Sequence, residues 1–164
     1  RSFEDPNPIL FFEHKYLYRS LSGPVPEEPY TIELGKARVV NSGADLTIVT
    51  YGLGVKWAEE VVHSLPEHTI EIIDLRTLLP WDEDCVMASV RKTNRALVLH
   101  EDTMTGGIGA EIAAKIQSEC WHDLDAPVAR VAGLDTAFPF AKHLEAQFLA
   151  NSRLKEAIER ILQD

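Results

Sequence analysis

Basic side chains are in short supply. Lysine and arginine number 16 against 26 aspartates and glutamates, leaving a net charge of −10. Neutralising phosphates takes clustered cations, so nucleic acid is excluded as the main partner, whereas a basic protein partner suits the acidity. Cysteine is rarer still: only Cys85 and Cys120 occur. Two cannot build a disulfide framework, and both are expected as free thiols on apolar helix faces. No apolar run approaches the roughly 20 residues that cross a bilayer, which excludes a spanning helix. The opening RSFEDPNP lacks the basic-then-apolar order of a secretory signal, and it starts at Arg1, not methionine. That start reads as an excised fragment. The signatures G-x-S-x-G, C-x-x-C and H-E-x-x-H are all missing, so no standard hydrolase, redox or zinc constellation stands out.

What is present is a globular chain of 164 residues, 45% hydrophobic, enough for one domain with a core. Its organising stretch is Arg95 to Ile116, RALVLHEDTMTGGIGAEIAAKI. Ala96–Leu99 predicts a buried strand, His100–Thr105 a polar turn, and Gly106, Gly107 and Gly109 the tight entry to an apolar-faced helix. Further strands are expected at Ile9–Phe12, Ala37–Val40, Leu46–Tyr51, Thr69–Ile73 and Pro127–Val131. Helices are expected where Ala58, Val61, Val62 and Leu65, then Val86, Met87 and Val90, then Leu154, Ala157, Ile158 and Ile161 recur at helical spacing. The last should be capped by Asn151 or Ser152. Residues 20–30, SLSGPVPEEPY, carry three prolines and read as an extended linker; residues 133–143 read as a loop. Strand and helix alternate from residue 46 onward. The expected fold is therefore α/β, an open, mainly parallel sheet in three layers, with a strand of a preceding domain at its front.

Local chemistry is ambiguous at three places. The Gly106–Gly109 turn fits close helix–sheet packing first and a phosphate site second, because no basic residue follows before Lys115. His100-Glu101-Asp102 lies at a strand's carboxyl end, where open sheets place sites. Three consecutive side chains cannot all converge, so a hydrogen-bonded strand-end histidine is the simpler reading. Asp5 and Asn7 sit in a proline-locked turn that is either an ordinary Asx turn or part of a hard-cation site.

Six stretches in series carry a resemblance: DPNPILFFEHKYLYR (5–19), VPEEPYTIELGKARVV (25–40), LTIVTYG (46–52), HEDTMTGGIGAEIAAKI (100–116), LDAPVARVAGLDTAFPFA (124–141) and the closing helix. Together they resemble the beta subunit of the thiamine-diphosphate-dependent 2-oxoacid dehydrogenases, the decarboxylating component of the branched-chain (2-oxoisovalerate), pyruvate and acetoin complexes. The resemblance implies a tail of the pyrimidine-binding domain over residues 1–20, a linker over 21–33, and a transketolase C-terminal-like domain over 34–164. The family's cofactor-activating glutamate and its beta-chain histidine precede the matched region. No catalytic and no cofactor-binding residue is therefore expected here, and thiamine diphosphate with Mg belongs to the whole enzyme.

Two family features fall on residues present. A structural potassium ion would take Ser2, Phe3, Asp5 and Asn7 as part of its ligand set. Asp125, assisted by the C-terminal carboxylate of Asp164, would dock the basic subunit-binding domain of the acyltransferase. The implied partners are an alpha subunit, or an alpha part of the same chain, a second beta chain and that acyltransferase, in a bacterial cytoplasm or a mitochondrial matrix. Where the family continues into Tyr-Leu-Pro before its last helix, this chain reads Phe148-Leu149-Ala150. The rivals are the C-terminal domain of a transketolase or deoxyxylulose-phosphate synthase, and a stand-alone nucleotide-binding module.

Overall fold

The computed structural model describes residues 1–163. Five strands form one sheet: β1 (Arg38–Asn41), β2 (Leu46–Thr50), β3 (Ile70–Asp74), β4 (Ala96–Thr103) and β5 (Ala129–Gly133). The spatial order is β1-β3-β2-β4-β5. Only β1 runs antiparallel, pairing with β3; the other neighbours are parallel. β2 is buried at all five positions, as a strand covered on both faces must be.

Helices supply the two covers. α2 (Leu53–His63) and α6 (Asn151–Gln163) lie on one face, where Trp57, Ala58, Leu154, Ile158 and Ile161 meet Leu46, Ile48, Ile72, Leu97 and Leu99. α3 (Glu83–Thr93) and α4 (Gly109–Glu119) lie on the other, with Val86, Val90, Ile112 and Ile116 against Val49, Ile73, Ala96 and Val98. Odd and even strand residues thus serve different cores, which is the three-layer α/β sandwich expected. α3 starts at Asp82, whose side chain accepts from the Cys85 amide at 3.3 Å and from the Ala37 amide at 3.0 Å, so one carboxylate caps the helix and pins the approach to β1. Cys85 is half-buried, Cys120 is buried, and both are free.

Five details depart from expectation. Ile9–Phe12 is not a strand: Leu10, Phe11 and Phe12 are 84%, 74% and 87% exposed, and no described strand lies beside them. An apolar run becomes a strand only with a partner edge. Leu17–Ser20 instead forms a short turn of helix, α1, with Leu17 packed on the first core. His100–Thr103 continues β4 because Thr103 pairs with Gly133 across an irregularity after Leu99. Lys142–Phe148 is a further helix, α5, beginning inside the expected loop. Helix α6 begins at Asn151, and Ser152 turns its hydroxyl back to donate to the Leu149 carbonyl at 3.0 Å, so Ser152 is not its cap.

The β5 edge is blunted. The Arg153 guanidinium donates to the Ala132 carbonyl at 2.5 Å and to the Gln147 and Phe148 carbonyls at 2.7 and 3.3 Å. With that one β5 acceptor taken, the edge has one ladder bond fewer to offer another chain.

Candidate functional site

The connectivity creates one special position. From β2 the chain moves outward to β3, then returns to lay β4 on the other side of β2. The helices that follow β2 and β4 leave on opposite faces. The crevice between the carboxyl ends of β2 and β4 is a topological switch point, the usual site position of an open sheet. Tyr51 closes β2 there, and His100 sits in β4 beside it. Their rings stack at 6.5 Å between centroids with 13° between planes.

His100 is 0% exposed. Its Nδ1–H donates to the Asp102 carbonyl at 3.1 Å, which leaves Nε2 as a bare acceptor, buried without a hydrogen-bond partner. Burial disfavours the imidazolium and holds His100 below the ordinary histidine range, against the smaller upward pull of the Asp102 carbonyl and carboxylate. The glycine turn is what admits the ring. A Cβ on Gly107 would lie 2.6 Å from His100 Cε1, and one on Gly109 only 2.3 Å from Nε2. The Gly106–Gly109 turn therefore serves close packing against a histidine. The space a diphosphate would need is filled by imidazole, which tells against the nucleotide module.

The adjoining Glu101 points elsewhere. Its Oε2 lies 2.9 Å from His14 Nε2, tying the N-terminal segment to the end of β4. Lys56 sits 5.3 Å over the Tyr16 ring and donates to the Ser20 carbonyl at 3.4 Å. His14, Tyr16 and Leu17 thus hold α1 over the sheet's carboxyl end. This latch was invisible in the sequence, where nothing marked His14 as a partner for the end of β4. Tyr51 was missed too, although an aromatic closing an apolar strand before Gly52-Leu53-Gly54 was a signal that could have marked it.

At the opposite end of the sheet lies Asp125. Asn94 ends α3 at φ 57° and its side chain donates to the Asp123 carbonyl at 2.6 Å, while the Asp125 amide donates to the Asn94 carbonyl at 2.8 Å. The Leu124–Pro127 loop is thereby fixed, with the Asp125 carboxylate 55% exposed and 3.5 Å from Arg95 Nη1. Asp164 lies outside the described residues.

Ser2, Phe3, Asp5 and Asn7 lie in one turn. Asp5 Oδ1 accepts from the Asn7 amide at 2.9 Å and from Asn7 Nδ2 at 3.0 Å, an Asx turn, and Phe3 is fully exposed. These bonds hold the Asp5 carboxyl below its usual range. The described residues do not hold three His, Cys, Asp or Glu side chains grouped to grip a metal.

A family model decides the lineage: the transketolase C-terminal domain matches residues 35–153. The chain belongs to the transketolase C-terminal domain family. The domain is 49% identical over 140 residues to the mitochondrial 2-oxoisovalerate dehydrogenase subunit beta 2 of Arabidopsis thaliana, covering 84% of this chain and 39% of that protein. It is 41% identical to the 2-oxoisovalerate dehydrogenase subunit beta of Bacillus subtilis, over 98% of this chain and 50% of the relative. The pyruvate dehydrogenase E1 component subunit beta of the same bacterium is 43% identical, over 99% and 50%. The chain spans about half the length, or less, of these curated relatives. Among solved structures, a split-gene transketolase described as an inactive beta4 tetramer superposes with a TM-score of 0.67 at 20% identity, over 82% of this chain and 44% of that one; this likeness speaks to fold alone. No helix of the described residues is long and apolar enough to cross a membrane.

Proposed function

We propose that this chain is the C-terminal part of the beta subunit of a 2-oxoacid dehydrogenase, the component that decarboxylates a 2-oxoacid on thiamine diphosphate and passes the acyl group to a lipoyl acyltransferase. The observation that carries the reading is identity of 41–49% with branched-chain and pyruvate-type beta subunits over most of the chain. The filled glycine turn supports a division of labour: the cofactor chemistry belongs outside residues 1–163, and this half associates subunits and docks the acyltransferase. In that arrangement residues 1–20 end the pyrimidine-binding domain, 21–33 are the linker, and 34–164 are the transketolase-type domain. The relatives support a bacterial cytoplasmic or mitochondrial matrix setting, with an alpha chain and a second beta chain as neighbours. The Ser2–Asn7 turn supplies potassium ligands only in company with residues outside this chain. A transketolase or synthase C-terminal domain is the weaker alternative, because the relatives at 41–49% identity are beta subunits of 2-oxoacid dehydrogenases.

Docking at Asp125 is testable. Its carboxylate is exposed, rigidly presented and acidic in an acidic chain, as a receptor for a basic subunit-binding domain should be. In the full assembly, Asp125→Ala should weaken acyltransferase binding by about 1.5–3 kcal/mol, the size of a lost charged hydrogen bond, and the loss should shrink at high salt. Affinity unchanged at low salt would remove the role. Asp164 shares it by position in the sequence only.

A further inference from the structure

The Asp125 carboxylate already has a cationic neighbour. Arg95 immediately precedes β4, at the same end of the sheet, and its side chain is only 23% exposed. Its backbone is well held: the carbonyl accepts from the Thr47 amide at 2.9 Å and from the Thr93 hydroxyl at 3.0 Å. Its guanidinium is not. Nε is buried without a hydrogen-bond partner, and Nη1 stands 3.5 Å from Asp125 Oδ2 as an ion pair without a hydrogen bond. A second acid lies near. The Thr69 amide and hydroxyl hold the Asp45 carboxyl below its ordinary range, and the charges of His68 and Arg95 add to them. Asp45 is committed to Thr69 at 2.6 and 2.8 Å. Asp125 has Arg95 as its one ion-pairing neighbour among the described residues.

This pair does not hold the loop together. The Asp125 amide is bonded to the Asn94 carbonyl at 2.8 Å, and the Asn94 side chain to the Asp123 carbonyl at 2.6 Å, so the place of Asp125 is set without the guanidinium. A guanidinium that supports a carboxylate usually does so through paired, directed N–H bonds, and Arg95 makes none. What it brings to Asp125 is charge. That charge offsets the field the acid shows to an approaching cation. Its position beside Oδ2 also obstructs a partner guanidinium that would take both carboxylate oxygens at once.

We propose that Arg95 competes with the basic subunit-binding domain for the Asp125 carboxylate, and so holds docking weaker than the bare acid would allow. The inference rests on the docking reading given above and adds to it a residue that acts in the opposite direction. Half of the Asp125 carboxylate is in water, so the masking has the size of an exposed ion pair, a few-fold in affinity. Removing the guanidinium breaks no hydrogen bond, which makes its charge separable from the fold.

The test is calorimetric titration of the assembled alpha and beta enzyme with the isolated subunit-binding domain, at low and high salt. Arg95→Gln should bind about threefold tighter at low salt, with the gain shrinking at high salt. Arg95→Met, which fills more of the buried stem, should do the same, whereas Arg95→Lys keeps the charge and should stay near the parent. In an Asp125→Ala background the gain from Arg95→Gln should vanish. If Asp125→Ala weakens binding but Arg95→Gln and Arg95→Met leave it unchanged or weaker, the competition is overturned and the docking reading stands. A gain that persists without Asp125, or one that Arg95→Lys matches, would overturn it too. If Asp125→Ala itself has no effect at low salt, the docking reading falls and takes this inference with it.

Discussion

Gly109→Ala is expected to lower the unfolding free energy by about 2–3 kcal/mol, the range of an overpacked core site. The new methyl would meet His100 Nε2 at 2.3 Å, Cδ2 at 2.4 Å and Val98 Cγ1 at 3.3 Å. His100 has nowhere to go, since it is fully buried, stacked on Tyr51 and bonded through Nδ1. Chemical denaturation with an unchanged m-value would measure the loss. The diagnostic control is His100→Ala combined with Gly109→Ala. Removing the ring removes the collision, so the double variant should cost less than the two singles added, by about 1 kcal/mol or more. Strict additivity would show that the glycine is needed for something other than the imidazole.

Glu71→Ala should cost a similar or larger amount, about 3 kcal/mol, for a different reason. Glu71 is 3% exposed at the amino-terminal half of β3. It accepts from Lys92, from the Ser89 hydroxyl and, at 3.3 Å, from the Gly43 amide. Thr47 Oγ1 lies 2.7 Å from both Ser89 Oγ and Thr93 Oγ1 and extends the network under the sheet. Deleting the carboxylate leaves buried donors without an acceptor. Half of Lys92 remains in water, which keeps the loss below that of a fully enclosed pair.

The same two sites contribute to the acid response. Burial alone would raise the Glu71 carboxyl, but the bonds from Lys92, Ser89 and Gly43 outweigh it and leave it below its ordinary 4.5. Its contribution is present above 4.5 and lost as pH falls through the lower folded value. His100 is held below its ordinary 6.5 chiefly by burial. The unfolded chain therefore takes up that proton first, and stability declines as pH drops from 6.5 towards the folded value. Stability measured against pH should fall in two stages on acidification. Glu71→Gln should reduce the lower stage and leave the upper one unchanged.

How much of this was written in the residues varies by place. The buried strands were legible because continuous apolar runs bounded by glycine and proline have few other solutions, and α2, α3, α4 and α6 announced themselves by helical spacing. Ile9–Phe12 misled because it has the composition of a strand, while strand formation depends on a neighbour that composition does not encode. The extension of β4 through His100–Thr103 was hidden for the converse reason: polar residues stay extended there because Gly133 holds Thr103 in register. At the site, Gly107 and Gly109 were read as packing devices and Gly106 turns the chain at φ 81°, yet the object the first two pack against could not be named. His100 was noticed for its place at a strand end; that the ring turns inward against Gly107 and Gly109 is a tertiary fact. Glu71 was not singled out within the expected strand Thr69–Ile73, and the approach of α3 makes it the centre of a buried network.

The division of labour between this half and the rest of the proposed subunit is tested most directly by one assay. The 164-residue polypeptide is given thiamine diphosphate, Mg and a series of 2-oxoacids with an artificial electron acceptor, beside the assembled alpha and beta enzyme. Turnover by the assembly, none by the polypeptide alone, and no thermal stabilisation of the polypeptide by the cofactor is the predicted pattern. Steady turnover by the isolated polypeptide would place reactive groups inside these residues and contradict the account.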